Sequence, residues 1–312
     1  MQQRIWVGIG VAALAWGTTG VATRAALGDG FPPFAMVTVR AVIATGLLTL
    51  LLRVRRHRFR WDRKTWTLGL IAGTFQLSVP FVLFTLAYQH ASAGFVGLLV
   101  ALVPLATAIM AHFRLDGEAM TTATVAGLLV AFLGVGFLLV SGDSGLGDGG
   151  RPLLSALLSI AAVTSIAASS VYTKGREGGF DPTELTWMQF LVGIVLVGSA
   201  MLVAEGFPSC AAPWCDTPGA GVISPWGWQL VVYLSVVGSV LPFLLYYWVL
   251  VRVTSTKASL VGYLVPPIAV LSGFVFLDER LQPGIVVGGA MILVGVVLTD
   301  RAERQRAPAL PI

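Results

Sequence analysis

Charge is what this sequence has least of: of 312 residues, 15 are acidic and 20 basic, 11% in all, against 56% hydrophobic. So little polarity could not clothe the surface of a water-soluble domain of this size, so the composition excludes a soluble globular protein and implies a membrane protein. Cysteine is nearly missing too. Cys210 and Cys215 both fall in one expected outer loop, EGFPSCAAPWCDTPGAG, which excludes a disulfide framework or a thiolate metal cluster and leaves a single structural bridge between them as the expectation. Histidine is as scarce: His57, His90 and His112 stand apart, at helix ends or in a loop. There is no H-E-x-x-H, no G-x-S-x-G, no Walker loop and no Cys/His cluster, so no enzyme activity, metal, cofactor or ATP hydrolysis is expected.

What the chain has in quantity is apolar runs of the length that crosses a hydrocarbon core of roughly 30 Å, about 17 to 25 residues. An all-α fold of ten transmembrane helices is expected, over residues 5–27, 34–52, 66–88, 92–113, 121–140, 153–173, 185–204, 226–251, 255–276 and 284–299. Lys and Arg alternate between the connections, 16 of the 20 lying in the loops and tails of one side, seven of them between Arg53 and Lys64. That bias places both termini in the cytoplasm. The net charge of +5 thus follows topology, and the run RVRRHRFRWDRK reads as an orientation signal and a contact for anionic lipids. It has no aromatic platform for nucleic acid, which is not an expected partner. Arg4 ahead of Ala13-Leu14-Ala15 imitates a signal peptide, but the run goes on well past that point, so a retained first helix is expected.

The runs repeat. A shift of 162 lays Val103, Pro104, Leu115 and Asp116 on Val265, Pro266, Leu277 and Asp278, and Pro80-Phe81 on Pro242-Phe243. A shift of 161 lays Glu118, Gly127 and Gly134 on Glu279, Gly288 and Gly295, and one of 149 lays Phe31, Pro33 and Arg40 on Phe180, Pro182 and Gln189. Five helices per unit is an odd number, so the second unit, 153–300, would enter the membrane opposite to the first, 1–140. The expectation is an inverted repeat, joined by a flexible polar outer hinge at 141–152 and followed by a cytoplasmic tail at 301–312. A proline at one depth in both copies marks helices bent around a shared space, because it frees a carbonyl that neighbours or cavity water must satisfy. Two opposed copies around one space supply two equivalent gates, the arrangement of alternating access.

The residues expected to line that space are Pro80, Pro104, Pro242 and Pro266, with Trp16, Thr19, Gln76, Phe84, Trp187, Gln189, Tyr246 and Tyr263. Close helix packing is the competing reading for the Trp16–Thr19 stretch. An interfacial belt competes for Trp187 and is the preferred reading for Trp226 and Trp228. Arg40 lies about two turns below the outer surface, where a buried Arg costs up to about 2.5–3.5 kcal/mol on insertion scales and needs protein or water beside it. Snorkelling to outer headgroups is its leading reading, a cargo carboxylate the second. No Asp or Glu sits at mid-membrane depth. Uniport-like or exchange transport is therefore expected over carboxylate-mediated proton antiport.

On the tandem five-helix units, Pro104 and Pro266, Glu118 and Glu279 with their following glycines, and Arg40, the chain resembles the ten-helix members of the drug/metabolite transporter superfamily built from two EamA domains. The resemblance covers nearly all of 5–299. It implies an inner-membrane carrier, commonly an exporter of amino acids or other small metabolites, with its cavity formed by the first, third and fourth helices of each unit. Gln189 departs from the pattern, standing where the second copy would repeat the Arg. The expected function is export of small neutral or zwitterionic metabolites, amino acids foremost, by a monomer or homodimer. A multidrug or quaternary-cation exporter and a non-transporting scaffold or lipid-handling subunit are the alternatives.

Overall fold

The computed structural model describes residues 2–57, 63–114, 120–146, 149–174, 181–205, 223–250 and 260–306. Among them the regular structure is helical: α1 (Gln2–Gly17 and Thr19–Gly28), α2 (Pro33–Val54), α3 (Arg63–Ala72, Gly73–Ser78 and Val79–Tyr88), α4 (Ala93–Val100 and Val103–Arg114) and α5 (Thr122–Val140). Then follow α6 (Pro152–Lys174), α7 (Pro182–Ala204), α8 (Pro225–Ser235, Val236–Val240 and Leu241–Leu250), α9 (Leu260–Leu277) and α10 (Pro283–Arg306). Eight helices among the described residues are long and apolar enough to cross a membrane, and the last two carry the shorter apolar stretches Leu264–Leu277 and Pro283–Thr299. The chain is a multi-pass membrane protein. Cys210 and Cys215 lie outside the described residues.

The starts of the helices are written locally. Pro33, Pro182 and Pro225 open α2, α7 and α8, where a missing N–H costs nothing. Ser92, Thr121, Asp181 and Ser224 accept N–H bonds from the first turns that follow them. Apolar exteriors such as Val140, Val203 and Phe276 are left exposed, as lipid-facing surfaces require.

Two antiparallel seams hold the bundle. In the first, α5 and α10 cross backbone to backbone. A Cβ on Gly127 would stand 2.6 Å from the Gly295 carbonyl oxygen, and one on Gly134 2.8 Å from that of Gly288. The two contacts map onto each other under the 161-residue shift. In the second seam, α2 runs along α7: Trp187 Nε1 donates to Thr49 Oγ1 at 2.7 Å, and Gly198 faces Thr38. That pair too is exchanged by the shift of 149.

Several expectations are corrected. The stretch 141–152 is not a free hinge where it is described: Ser144 is buried, its carbonyl accepts the Ser92 N–H at 2.8 Å, and Gly145 N–H donates to Gln282 at 3.0 Å. Trp226 is exposed as a belt residue would be, whereas Trp228 turns inward onto Phe31, ring centroids 5.2 Å apart. Of the four proline positions, α3 and α8 widen into π-helical turns and α4 breaks between Val100 and Val103, but α9 runs unbroken through Pro266 and Pro267. In α1, Gly17 packs so tightly on Ile268 that a side chain has no room, while the helical hydrogen bonds run on through Thr18, whose N–H donates to Leu14 O at 3.1 Å and whose carbonyl accepts from Ala22 N–H at 3.2 Å.

Candidate functional site

Proline 80 and proline 242 shape the centre. Each follows a π-helical segment, Gly73–Ser78 in α3 and Val236–Val240 in α8. Proline has no N–H for the carbonyl four residues back, and its ring crowds that carbonyl, so the ladder opens there. Serine hydroxyls return part of what is lost: Ser78 Oγ donates to the Gly73 carbonyl at 2.6 Å and Ser239 Oγ to that of Leu234 at 3.0 Å.

The carbonyl that Pro242 leaves without a helical donor belongs to Gly238, and Arg40 takes it. Nη2 donates to Gly238 O at 2.7 Å, Nε donates to Ser239 Oγ at 2.6 Å, and the guanidinium carbon lies 4.3 Å above the Phe81 ring. Arg40 is 7% exposed. The snorkelling expectation is therefore overturned: an inward carbonyl and an aromatic face satisfy this charge better than a reach of two helical turns to headgroups. Thr19 stands close by, its hydroxyl donating to Ala15 O at 3.0 Å.

From Arg40 an aromatic chain runs through the bundle. Phe81 meets Phe190 at 6.4 Å, Phe190 meets Phe243 at 5.9 Å, Phe243 meets Trp16 at 5.6 Å and Trp16 meets Tyr246 at 5.7 Å between centroids. Edge-to-face and tilted contacts of this kind suit the ring quadrupoles. The chain joins α1, α3, α7 and α8, so Trp16, Arg40, Tyr246 and the turns before Pro80 and Pro242 lie together. Phe190, Gly238 and Ser239 belong to the same place and were missed. Phe81 and Phe243 were visible only as repeat markers beside the prolines.

Other expected residues are placed elsewhere. Gln76 accepts from Ser169 at 3.3 Å between α3 and α6. Phe84 packs against a separate core that includes Phe95, Leu99 and Leu102, and Pro104 opens the second piece of α4, half-buried. Trp187 is committed to the α2–α7 seam. Pro266 is buried within α9, whose Tyr263 side chain lies outside the described residues. Gln189 is fully buried, and neither its amide nitrogen nor its amide oxygen has a partner.

At the end where α2, α4, α8 and α10 begin, carboxylates from other connections cap their N-termini. Glu205 accepts from Phe34 and Ala35 N–H, both at 2.8 Å; Asp29 from Ser224 N–H at 3.0 Å; Asp143 from Gly284 N–H at 2.8 Å. Glu279 accepts from Ala93 and Gly94 N–H at 2.7 and 3.2 Å, with Arg24 Nη1 3.4 Å away and also donating to Ala91 O at 3.1 Å. Negative charge at helix N-termini is favourable, and each cap ties two hairpins together. Among the described residues these caps draw the acidic end together. The opposite, basic end carries Arg53, Arg63 and Lys64.

The sequence profile of the EamA-like transporter family matches twice, over residues 5–140 and 153–300. Among similar proteins, the "Probable terminal-alkyne amino-acid exporter" of Streptantibioticus cattleyicolor is 27% identical over 100% of this chain and 98% of its own. The uncharacterized transporter YvbV of Bacillus subtilis is 25% identical over 95% and 92%. Protein PecM of Dickeya dadantii is 28% identical over 91% and 88%. A chain of known crystal structure, 21% identical, superposes over 98% of this chain and 99% of its own with a TM-score of 0.59, a likeness of fold.

Proposed function

The chain belongs to the EamA-like transporter family, and from that premise we propose that it exports small amino acids or related zwitterionic and neutral metabolites across the cytoplasmic membrane by alternating access. The observation that carries the reading is the double match of the family profile, one per half of the chain. The reading takes ten spans, as two five-helix units of opposite orientation, one unit per match. They are supported by the seam contacts that exchange under the repeat shifts, Gly127–Gly295 with Gly134–Gly288. In this reading the basic end faces the cytoplasm with both termini, by the positive-inside bias. The working unit is a monomer or homodimer in contact with anionic lipid.

The cargo site is the aromatic chain with Arg40, Thr19, Trp16 and Tyr246, entered as the π-helical turns before Pro80 and Pro242 relax. The amino-acid class is favoured by the relative named for a terminal-alkyne amino acid and by rings that offer an apolar slot beside one guanidinium. A quaternary-cation cargo is disfavoured because Arg40 already occupies the Phe81 face. Counterflow into proteoliposomes with a mixed amino-acid panel, including one with a terminal alkyne, tests the reading. Exchange of any member supports it, and no exchange of any member overturns the amino-acid assignment.

A further inference from the structure

The π-helical segments Gly73–Ser78 and Val236–Val240 fall on each other under the shift of 162 that equates Pro80 with Pro242, but their carbonyls are not served alike. In each, the last wide turn closes just before the proline: Val79 N–H donates to Thr74 O, and Leu241 N–H to Val236 O. Proline has no N–H, so the carbonyls five and four residues before it lose their π-type and α-type donors. In α8 these are Val237 and Gly238, and Arg40 Nη2 donates to the second at 2.7 Å. In α3 they are Phe75 and Gln76. Ser165 Oγ donates to Phe75 O at 2.7 Å, whereas among the described residues no side chain donates to Gln76 O.

Gln189 stands at the repeat position of Arg40, and it lies on the side of α7 that meets this segment of α3. A Cβ on Gly73 would stand 3.1 Å from the Gln189 carbonyl oxygen and 2.6 Å from Val192 Cβ, and one on Gly193 would stand 2.9 Å from Leu77 Cδ2. Leu185, a turn earlier, packs with Leu68 and Ala72 of α3. Positions 185, 189, 192 and 193 share one side of a helix. Gln189 is fully buried there, and among the described residues neither amide atom has a partner. Leaving a buried donor unpaired is costly, and the same holds for a carbonyl. Of the two equivalent donors, Arg40 is engaged and Gln189 is idle.

We propose that Arg40 and Gln189 are alternating carbonyl latches. In the state described, Arg40 holds Gly238 O; in the opposite state α3 and α7 draw closer, Gln189 Nε2 donates to Gln76 O, and Arg40 releases Gly238 O. The closer approach is needed because a Gln side chain ends two bonds short of an Arg. Equivalent residues of inverted repeats exchange roles when access alternates, so the proposal rests on the transporter reading above and names what holds each state. A neutral amide makes the weaker bond, so the Arg40 state is the favoured one.

Ala91→Cys, at a fully buried position of the acidic end, reports the opposite state through labelling by a membrane-impermeant thiol reagent in nanodiscs, each rate corrected for the parent chain. Gln189→Leu, which cannot donate, is expected to slow labelling about tenfold, and Gln189→Arg, which reaches farther and carries charge, to speed it. Pro80→Ala then separates a latch from packing. It restores a helical N–H to Gln76 O, so in that background Gln189→Leu should leave the rate unchanged, a coupling that altered packing at this position would not produce. Equal slowing with and without Pro80 overturns the proposal, and so does labelling indifferent to Gln189→Leu. Absence of labelling in every chain denies the opposite state and overturns it as well. Amino-acid counterflow is measured on the same chains: coupling without exchange of any amino acid keeps the latches and loses the amino-acid cargo, whereas exchange without coupling sinks the latches alone.

Discussion

Arg40 Nη2 donates at 2.7 Å to the carbonyl of Gly238, the one carbonyl that Pro242, four residues on, has no N–H to reach. A defect in one helix is thus repaired by a charge from another, 198 residues away in sequence. Arg40→Lys keeps the charge but not the two-pronged geometry that reaches Ser239 Oγ and Gly238 O at once. We expect a loss of about 1–3 kcal/mol, read as a lower thermal midpoint in detergent, and an unchanged midpoint would contradict the repair.

Glu279 is the most heavily used of the capping carboxylates, with two helix N–H groups and Arg24 around it. Glu279→Gln keeps its shape and removes its charge. Ala91, fully buried beneath this cluster, then becomes reachable. In an Ala91→Cys background the substitution should speed labelling by a membrane-impermeant thiol reagent about tenfold, equivalent to about 1.4 kcal/mol. Equal rates with and without it would mean that the acidic end is not held shut by this charge.

The α5–α10 seam leaves no volume at Gly134, whereas Gly136, two residues on, faces open space with nothing within 4 Å of an added Cβ. Gly134→Ala should therefore destabilise by about 1–3 kcal/mol and Gly136→Ala should be close to neutral. Thermal midpoints of the two variants measured side by side decide it.

Gln189 contributes a buried amide with no partner. Gln189→Leu, similar in size and without polar atoms, is expected to raise stability by about 1–3 kcal/mol. A fall instead would show that the amide is satisfied in the resting protein.

Much of the architecture was legible because prolines and glycines leave their marks at fixed spacing. Pro80, Pro242 and the glycines of α5 and α10 could be aligned by counting, and the structure places π-helical turns or backbone contacts at them. What counting could not supply was the partner. Arg40 had no visible acceptor, since Gly238 and Ser239 are unremarkable residues until their helix widens. The caps formed by Glu205, Asp29 and Asp143 were invisible for the same reason. An acidic residue in a loop reads as solvated until a distant helix start is brought within 3 Å of it.

The glycine seam has a mechanical consequence. Where α5 and α10 meet at Gly127–Gly295 and Gly134–Gly288, main chain faces main chain with only short or rigidly held side-chain atoms such as Ala131 Cβ and Leu138 Cβ between, so the crossing has little freedom to slide or tilt without backbone collision. It serves as a keel. Compliance is left to α3, α4 and α8, whose hydrogen-bond ladders are already opened or interrupted. Any large rearrangement in this protein should bend those three ribs while the keel stays still.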